Sequence, residues 1–204
     1  MSHPLPSAQR LLPDGDERRP RADAQRNVER LVAAARAAVA EVGIAVTAHE
    51  IARRAGVGIG TFYRRVPSRE ALLEAVLAEL LGEAVAEADR ALQNNDPWAG
   101  LCEFATAYVR LRAASCGVNE ALGEECGLDL DLPLEELRDR IRSLVERAQT
   151  AAAVRRDVTW QDVAFLLAAV VPGQHTIGLQ ADDQQWIRNL QIVLDGLRLA
   201  DMPR

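Results

Sequence analysis

The chain has no lysine; all 24 of its basic side chains are arginines. That absence removes the phosphate-cradling P-loop, whose glycine-rich run must end in a lysine. Aromatic residues are scarce, at 4%. Alanine and leucine dominate the apolar half, a filler that favours helices over strands. No stretch of 18 apolar residues runs without a charge, so no segment is expected to span a membrane. The opening MSHPLPSAQR lacks the apolar core of a secretory signal. Cysteine is limited to Cys102, Cys116 and Cys126, odd in number and too widely spaced for a zinc knuckle, which reads as reduced thiols in a cytoplasmic protein. No paired carboxylates, nucleophile–base set or metal cluster stands out, so neither an enzyme nor a cofactor is expected. The run HEIAR at His49–Arg53 approaches the zinc-protease pattern but places Arg53 where the second histidine belongs, and one imidazole with one carboxylate does not hold catalytic zinc.

What is present is unevenly spread. Residues 1–70 hold 12 arginines against 8 acids, a balance of +4, while residues 71–204 hold 12 against 22, a balance of −10. A positive front on an acidic body suits a protein that meets a polyanion at one end. Residues 1–22 carry four prolines and the cluster DGDERRPR without periodicity, and are expected to form a disordered arm. From Val28 the apolar spacing turns helical through Leu31, Val32, Ala35, Ala38, Val39 and Val42, and Gly43 closes that helix. In TAHE, Thr47 with Glu50 forms a capping-box pattern that opens a short helix to Ala55. A turn at Gly56-Val57 leads to a second short helix, about Gly58 to Arg65, stopped by Pro67.

Helical patterns continue downstream. Ser68 caps a long helix with Leu72, Leu73, Val76, Leu77, Leu80 and Leu81 inside. Asp96-Pro97 opens the next, Pro133 another, and Thr159 with Asp162 a second capping box. That last helix is expected to reach about Gln180, with a kink or break at Pro172-Gly173, and a final helix covers Asp182–Leu199. No segment alternates as a strand does, so the chain reads as all-α.

The glycines of AGVGIGTFYRRVP, Ala55–Pro67, do not make a dinucleotide loop. From Gly56 or Gly58 the third glycine would fall at Thr61 or Tyr63, and a capped helix precedes them rather than a strand. Helix, glycine turn, helix is instead the helix-turn-helix of DNA-binding proteins. At 100° per residue, Ile59, Gly60, Tyr63 and Arg64 share one face of the second helix, and Phe62 and Val66 share another. Phe62 and Val66 can plug the core. The opposite face then offers bare backbone at Gly60, a phenol and a guanidinium, with Thr61 and Arg65 at the flanks.

TAHEIARRAGVGIGTFYRRVPSREALLEAV resembles the DNA-binding segment of TetR-family transcriptional regulators, over about residues 25–80. Gly58 stands where the family commonly has a capping serine, Val66 replaces a phenylalanine, and Arg69 a lysine. The resemblance implies a helix-turn-helix DNA-binding domain at 23–70 and a helical effector-binding and dimerisation domain at 71–204. It also implies a homodimer on a near-palindromic double-stranded operator, a repressor released by a small-molecule effector. Thr47, Thr61, Tyr63, Arg64 and Arg69 are then expected at phosphates, with Arg65 beside them, and His49, Ile59, Gly60 and Tyr63 at base edges. Ile59 either packs on a thymine methyl or tucks against the preceding helix. Trp98, Phe104, Tyr108 and Phe165 are candidates for the effector pocket. Leu166, Val170, Leu190, Leu194 and Leu197 are candidates for the dimer interface, although such a stripe can equally pack inside one subunit. A redox or metal-responsive sensor using the three cysteines is the alternative.

Overall fold

The computed structural model describes residues 18–123, 127–171 and 175–199. Residues 1–17 of the expected arm, the Pro172-Gly173 break and Cys126 lie outside them. The helices are α1 (Arg18–Val42), α2 (Ala48–Ala55), α3 (Ile59–Arg65), α4 (Arg69–Leu92), α5 (Pro97–Ala114), α6 (Cys116–Gly123), α7 (Asp131–Thr150), α8 (Trp160–Ala169) and α9 (Gln185–Leu197). A two-stranded antiparallel hairpin, β1 (His175–Thr176) and β2 (Leu179–Gln180), lies between α8 and α9. The all-α reading holds, since these four residues are the strands among the described residues.

Two expectations move. α1 begins at Arg18, so the last five residues of the expected arm are helical. The helix expected to run from Thr159 to Gln180 stops at Ala169, and the chain turns through Ile177 and Gly178, both at positive φ (42° and 79°), to pair β1 with β2. A two-residue turn of that kind matches the twist of a hairpin, and the apolar residues there carried no period-2 signal long enough to announce strands.

The chain forms two compact units. The first comprises the chain up to Gly82 with Ala114–Pro133, and the second Glu83–Ala113 with the chain from Leu134. The division between the units falls within α4, and α6 belongs with the N-terminal helices. The first unit buries Leu31, Ala35 and Val39 of α1, Ile51 and Ala52 of α2, Phe62 of α3, and Leu72, Leu73, Val76 and Leu77 of α4, each at most 2% exposed. Those of α1, α3 and α4 are the positions the spacing anticipated. In the second unit Leu101, Phe104, Leu144, Val145, Val163 and Leu167 are buried to the same degree.

Helix ends follow local chemistry. Thr47 accepts the Glu50 amide at 3.2 Å, Ser68 the Ala71 amide at 3.0 Å, and Asp96 the Trp98 amide at 2.8 Å. Thr159 and Asp162 complete a reciprocal capping box. The box expected at Thr47 is only half made, because the Glu50 carboxylate turns to arginines instead.

Candidate nucleic-acid interface

α3 is only seven residues long and would not persist alone in water. Its hold is Phe62, fully buried, with Val66 at 1% exposure one turn on. Burying a phenylalanine contributes roughly 1.5–3 kcal/mol. Its lead-in is fixed by the turn: Gly56 takes the left-handed conformation (φ 66°) and donates its amide to the Arg53 carbonyl, while Val57 donates to Ala52. Gly58 occupies the cap position without a side-chain hydrogen bond, which is the consequence of a glycine standing where the family has serine.

With Phe62 inward, Tyr63 stands 57% exposed, its ring edge-on to Phe62 at 5.1 Å. Gly60 is exposed, and a Cβ there would meet nothing within 4 Å. Arg64 is exposed and donates through Nη2 to the Thr61 hydroxyl at 3.0 Å. That hydroxyl accepts from Arg64, as Thr47 accepts from Glu50, so each keeps its own proton free to donate to a phosphate oxygen. His49 is exposed on α2. Ile59 is half-buried, between the two positions foreseen for it.

Two arginines differ from expectation. Arg69 does not project toward a phosphate: Nε donates to the Val46 carbonyl, Nη2 to the Ile44 carbonyl, and Nη1 to Glu70 at 3.0 Å. Its guanidinium closes the junction between α1 and α2. Arg65 is half-buried, and its Nε is enclosed without a hydrogen bond.

A network that sequence reasoning missed backs α2. Glu50 accepts from Arg53 (2.7 and 2.8 Å) and from Arg54 (2.7 Å), and Arg54 reaches Glu41 of α1 at 2.7 Å. Hydrogen bonds from Arg53 and then Arg54 draw the Glu50 carboxyl down to about 2. The spacing of Glu50 to Arg53 and Arg54, three and four on a helix, was the available signal.

The other candidates separate on inspection. Phe104 and Tyr108 are buried with rings stacked at 5.6 Å. Arg112, also buried, donates to the Tyr108 hydroxyl at 3.4 Å. Trp98 is half-buried beneath the Arg198 guanidinium, 5.5 Å from its ring centre. Phe165 is 77% exposed, so it lines no interior pocket. Val170, Leu190, Leu194 and Leu197 are buried in the single chain at 2–7% exposure, and of the five interface candidates only Leu166, at 39%, is exposed. The helical stripe identified an inward face, and that face is filled from within the subunit. On α8 and α9 the large apolar side chains left outside are Phe165, Leu166, Ile187 and Ile192.

The cysteine alternative is not favoured. Burial, the leading cause, pushes the Cys102 thiol up to about 11, which keeps it from being a reactive thiolate. Cys116 is exposed. Among the described residues no three His, Cys, Asp or Glu side chains gather as a metal site.

A short helix pinned at its base and presenting glycine, threonine, tyrosine and arginine outward, set behind a tight turn from a capped helix, is a helix-turn-helix head. The chain is of the class of helix-turn-helix DNA-binding regulators. The family model for bacterial regulatory proteins of the tetR family matches residues 31–76, and that for the SbtR-like transcriptional regulator C-terminal domain matches 96–199. Among solved structures, a TetR transcription regulatory protein from Mycobacterium vanbaalenii is 33% identical with a TM-score of 0.58, the match covering 88% of this chain and 99% of that one. A TetR transcriptional regulator from Streptomyces coelicolor is 27% identical, TM-score 0.61, over 84% and 98%. The transcriptional regulator FadR from Bacillus subtilis, solved in complex with stearoyl-CoA, shares the fold at 16% identity, TM-score 0.62, over 83% and 98%. No curated protein matches the chain. The chain belongs to the TetR family of DNA-binding transcriptional regulators. Among the described residues no helix is long and apolar enough to cross a membrane.

Proposed function

We propose that this regulator is a cytoplasmic repressor, without enzymatic activity, that binds a near-palindromic operator as a homodimer and is released by a small-molecule effector. The observation that carries the DNA reading is the outward face of α3, where Gly60, Tyr63 and Arg64 are exposed and Thr61 half-exposed beside a buried Phe62. Bare backbone at Gly60 permits close approach to a groove wall. Tyr63 and Arg64 then lie at base-edge and phosphate height, with Thr47 at the α2 cap and His49 on α2 alongside. Neutralised phosphates supply the affinity, and base edges the preference.

The dimer reading rests on exposed apolar side chains concentrated on α8 and α9, the occupant being a second copy of this chain. An isologous pairing would seat Phe165, Leu166, Ile187 and Ile192 against their own counterparts. For the effector the support is the acidic helical body, in which Phe104 and Tyr108 stack beside Arg112, and the acyl-CoA complex of the similarly folded FadR from Bacillus subtilis. An effector acts by binding the DNA-free arrangement more tightly than the DNA-bound one.

Selection from random duplexes at low ionic strength tests the function. The expected product is a two-fold symmetric site with half-sites about one helical turn apart. Recovery of no preferred sequence, or no retention of DNA at all, rejects it.

A further inference from the structure

The five-residue junction between α1 and α2, residues 43–47, sets where α2 and α3 stand, and the structure grips it from two sides. Gly43 ends α1 in the left-handed conformation, φ 87°, and donates its amide back to Val39. The next amide, Ile44, donates to Oε2 of Glu120 on α6 at 2.8 Å. The carbonyl of the same Ile44 accepts from Arg69 on α4. The two peptides flanking Ile44 are therefore held one on each side, its N–H by a carboxylate and its C=O by a guanidinium, from helices 76 and 25 positions away in sequence. The fit is close. A Cβ on Gly43 would overlap the Glu120 carboxylate, and one on Gly117, a turn earlier on α6, would overlap Val39 of α1. Gly117 thus lets α6 lie against α1, at the height from which Glu120 reaches the junction. α6 is itself anchored, its first turn capped by Ser115, whose hydroxyl accepts the Val118 amide at 3.3 Å.

We propose that Glu120 is a positioning residue for DNA binding: by accepting the Ile44 amide it fixes the α1–α2 junction, and so the angle at which α2 and α3 are presented to the operator. Glu120 lies on α6, outside the matched helix-turn-helix segment, and touches no DNA. It acts by keeping the head in its binding-competent arrangement, so its loss lowers the populated fraction of that arrangement and weakens affinity by the same factor. Ordered helices remain, and the number of phosphate contacts in the competent state is unchanged. This rests on the reading of the chain as an operator-binding protein.

The test uses the full chain and a fluorescent duplex of the selected operator, with affinities measured across a salt series well below the melting temperature of each variant. Glu120→Ala is expected to bind on the order of tenfold more weakly, with the same salt slope as wild type. Glu120→Gln, whose amide oxygen can accept the same N–H, is expected to recover most of the affinity. Gly117→Ala, which displaces α6, should weaken binding too, and the double variant with Glu120→Ala should be no weaker than the worse single one. Wild-type affinity in Glu120→Ala, failure of the glutamine to rescue, or additive losses overturns the proposal. Amide exchange in the wild-type protein gives a reading independent of any variant: Ile44 should be protected, and fast exchange there also overturns it. A wild type that binds no duplex but protects Ile44 would reject operator binding while leaving the junction contact standing, so the two failures are distinguishable.

Discussion

Arg64 keeps its guanidinium at the surface of α3, tethered only to the Thr61 hydroxyl, whereas five positions on Arg69 turns its own toward the carbonyls of Ile44 and Val46. The two substitutions should therefore fail differently. Arg64→Ala is expected to leave the melting temperature nearly unchanged, to weaken binding to every duplex, and to reduce the salt slope by about one contact. Arg69→Ala removes donors from two junction carbonyls and should destabilise the fold by about 2 kcal/mol, as lost charge-assisted hydrogen bonds do, with the slope retained. Salt titrations alongside thermal melts separate them. An unchanged slope in Arg64→Ala rejects its phosphate role, and a stable Arg69→Ala rejects its structural one. From sequence the two looked alike because charge and helical phase report only what lies within a turn. The carbonyls that claim Arg69 lie 23 and 25 residues earlier, and no spacing rule connects them. Tyr63 was legible for the opposite reason: its outward aim follows from Phe62 beside it, one residue and 100° away.

At the scale of the element, α2 shows how a cap and a charge cluster divide the work that a capping box would do alone. Thr47 satisfies the Glu50 amide, and the Glu50 carboxylate, drawn down to about 2, binds Arg53 and Arg54, the latter bridging to Glu41 on α1. The sign of the pH effect follows from the direction of the shift. A carboxyl with a depressed folded value adds stability that is fully present above its ordinary range, near 4.5, and is lost as pH falls through about 2. α2 is thus expected to hold firm down to about pH 4.5 and loosen below it. Glu50→Gln should lose that part of the acid dependence while remaining less stable at neutral pH. Amide exchange of residues 50–55 between pH 5 and 2 measures it, and identical acid profiles for variant and wild type would count against the network. Element boundaries set by caps and by glycine or proline were readable in advance, as at Gly43, Thr47, Ser68, Asp96 and Thr159. The length of α8 was not. Its buried stripe of Val163, Leu167 and Val170 runs up to the helix end; Pro172-Gly173 signalled a kink or break in the sequence, but nothing in the spacing announced the hairpin of His175–Gln180.

At the scale of the whole molecule, the open matter is how the outer faces of α8 and α9 are covered. Amphipathic periodicity predicts that a stripe is buried and is silent about the partner. Here Leu190, Leu194 and Leu197 are buried within their own subunit, so they bear on folding and not on association. Phe165 at 77% exposure and Ile192 at 71% are the reverse case: large apolar side chains left in water, on two neighbouring elements of the acidic body. Single exposed apolar residues need no explanation, but several on two helices of one unit suit an association surface. Phe165→Asp with Ile192→Asp should therefore convert a dimer into a folded monomer by light scattering at micromolar concentration. Operator affinity should fall at least on the order of a hundredfold, because two linked heads gain from effective concentration what single heads lack. Leu194→Ala supplies the contrast: a core truncation that costs about 2–5 kcal/mol of stability and leaves the mass dimeric. If the double aspartate variant stays dimeric, the outward faces are not the interface, and a monomeric wild type would reject dimerisation itself. The contrast also guards the interpretation, since a loss of dimer caused only by weakened packing would appear in Leu194→Ala as well.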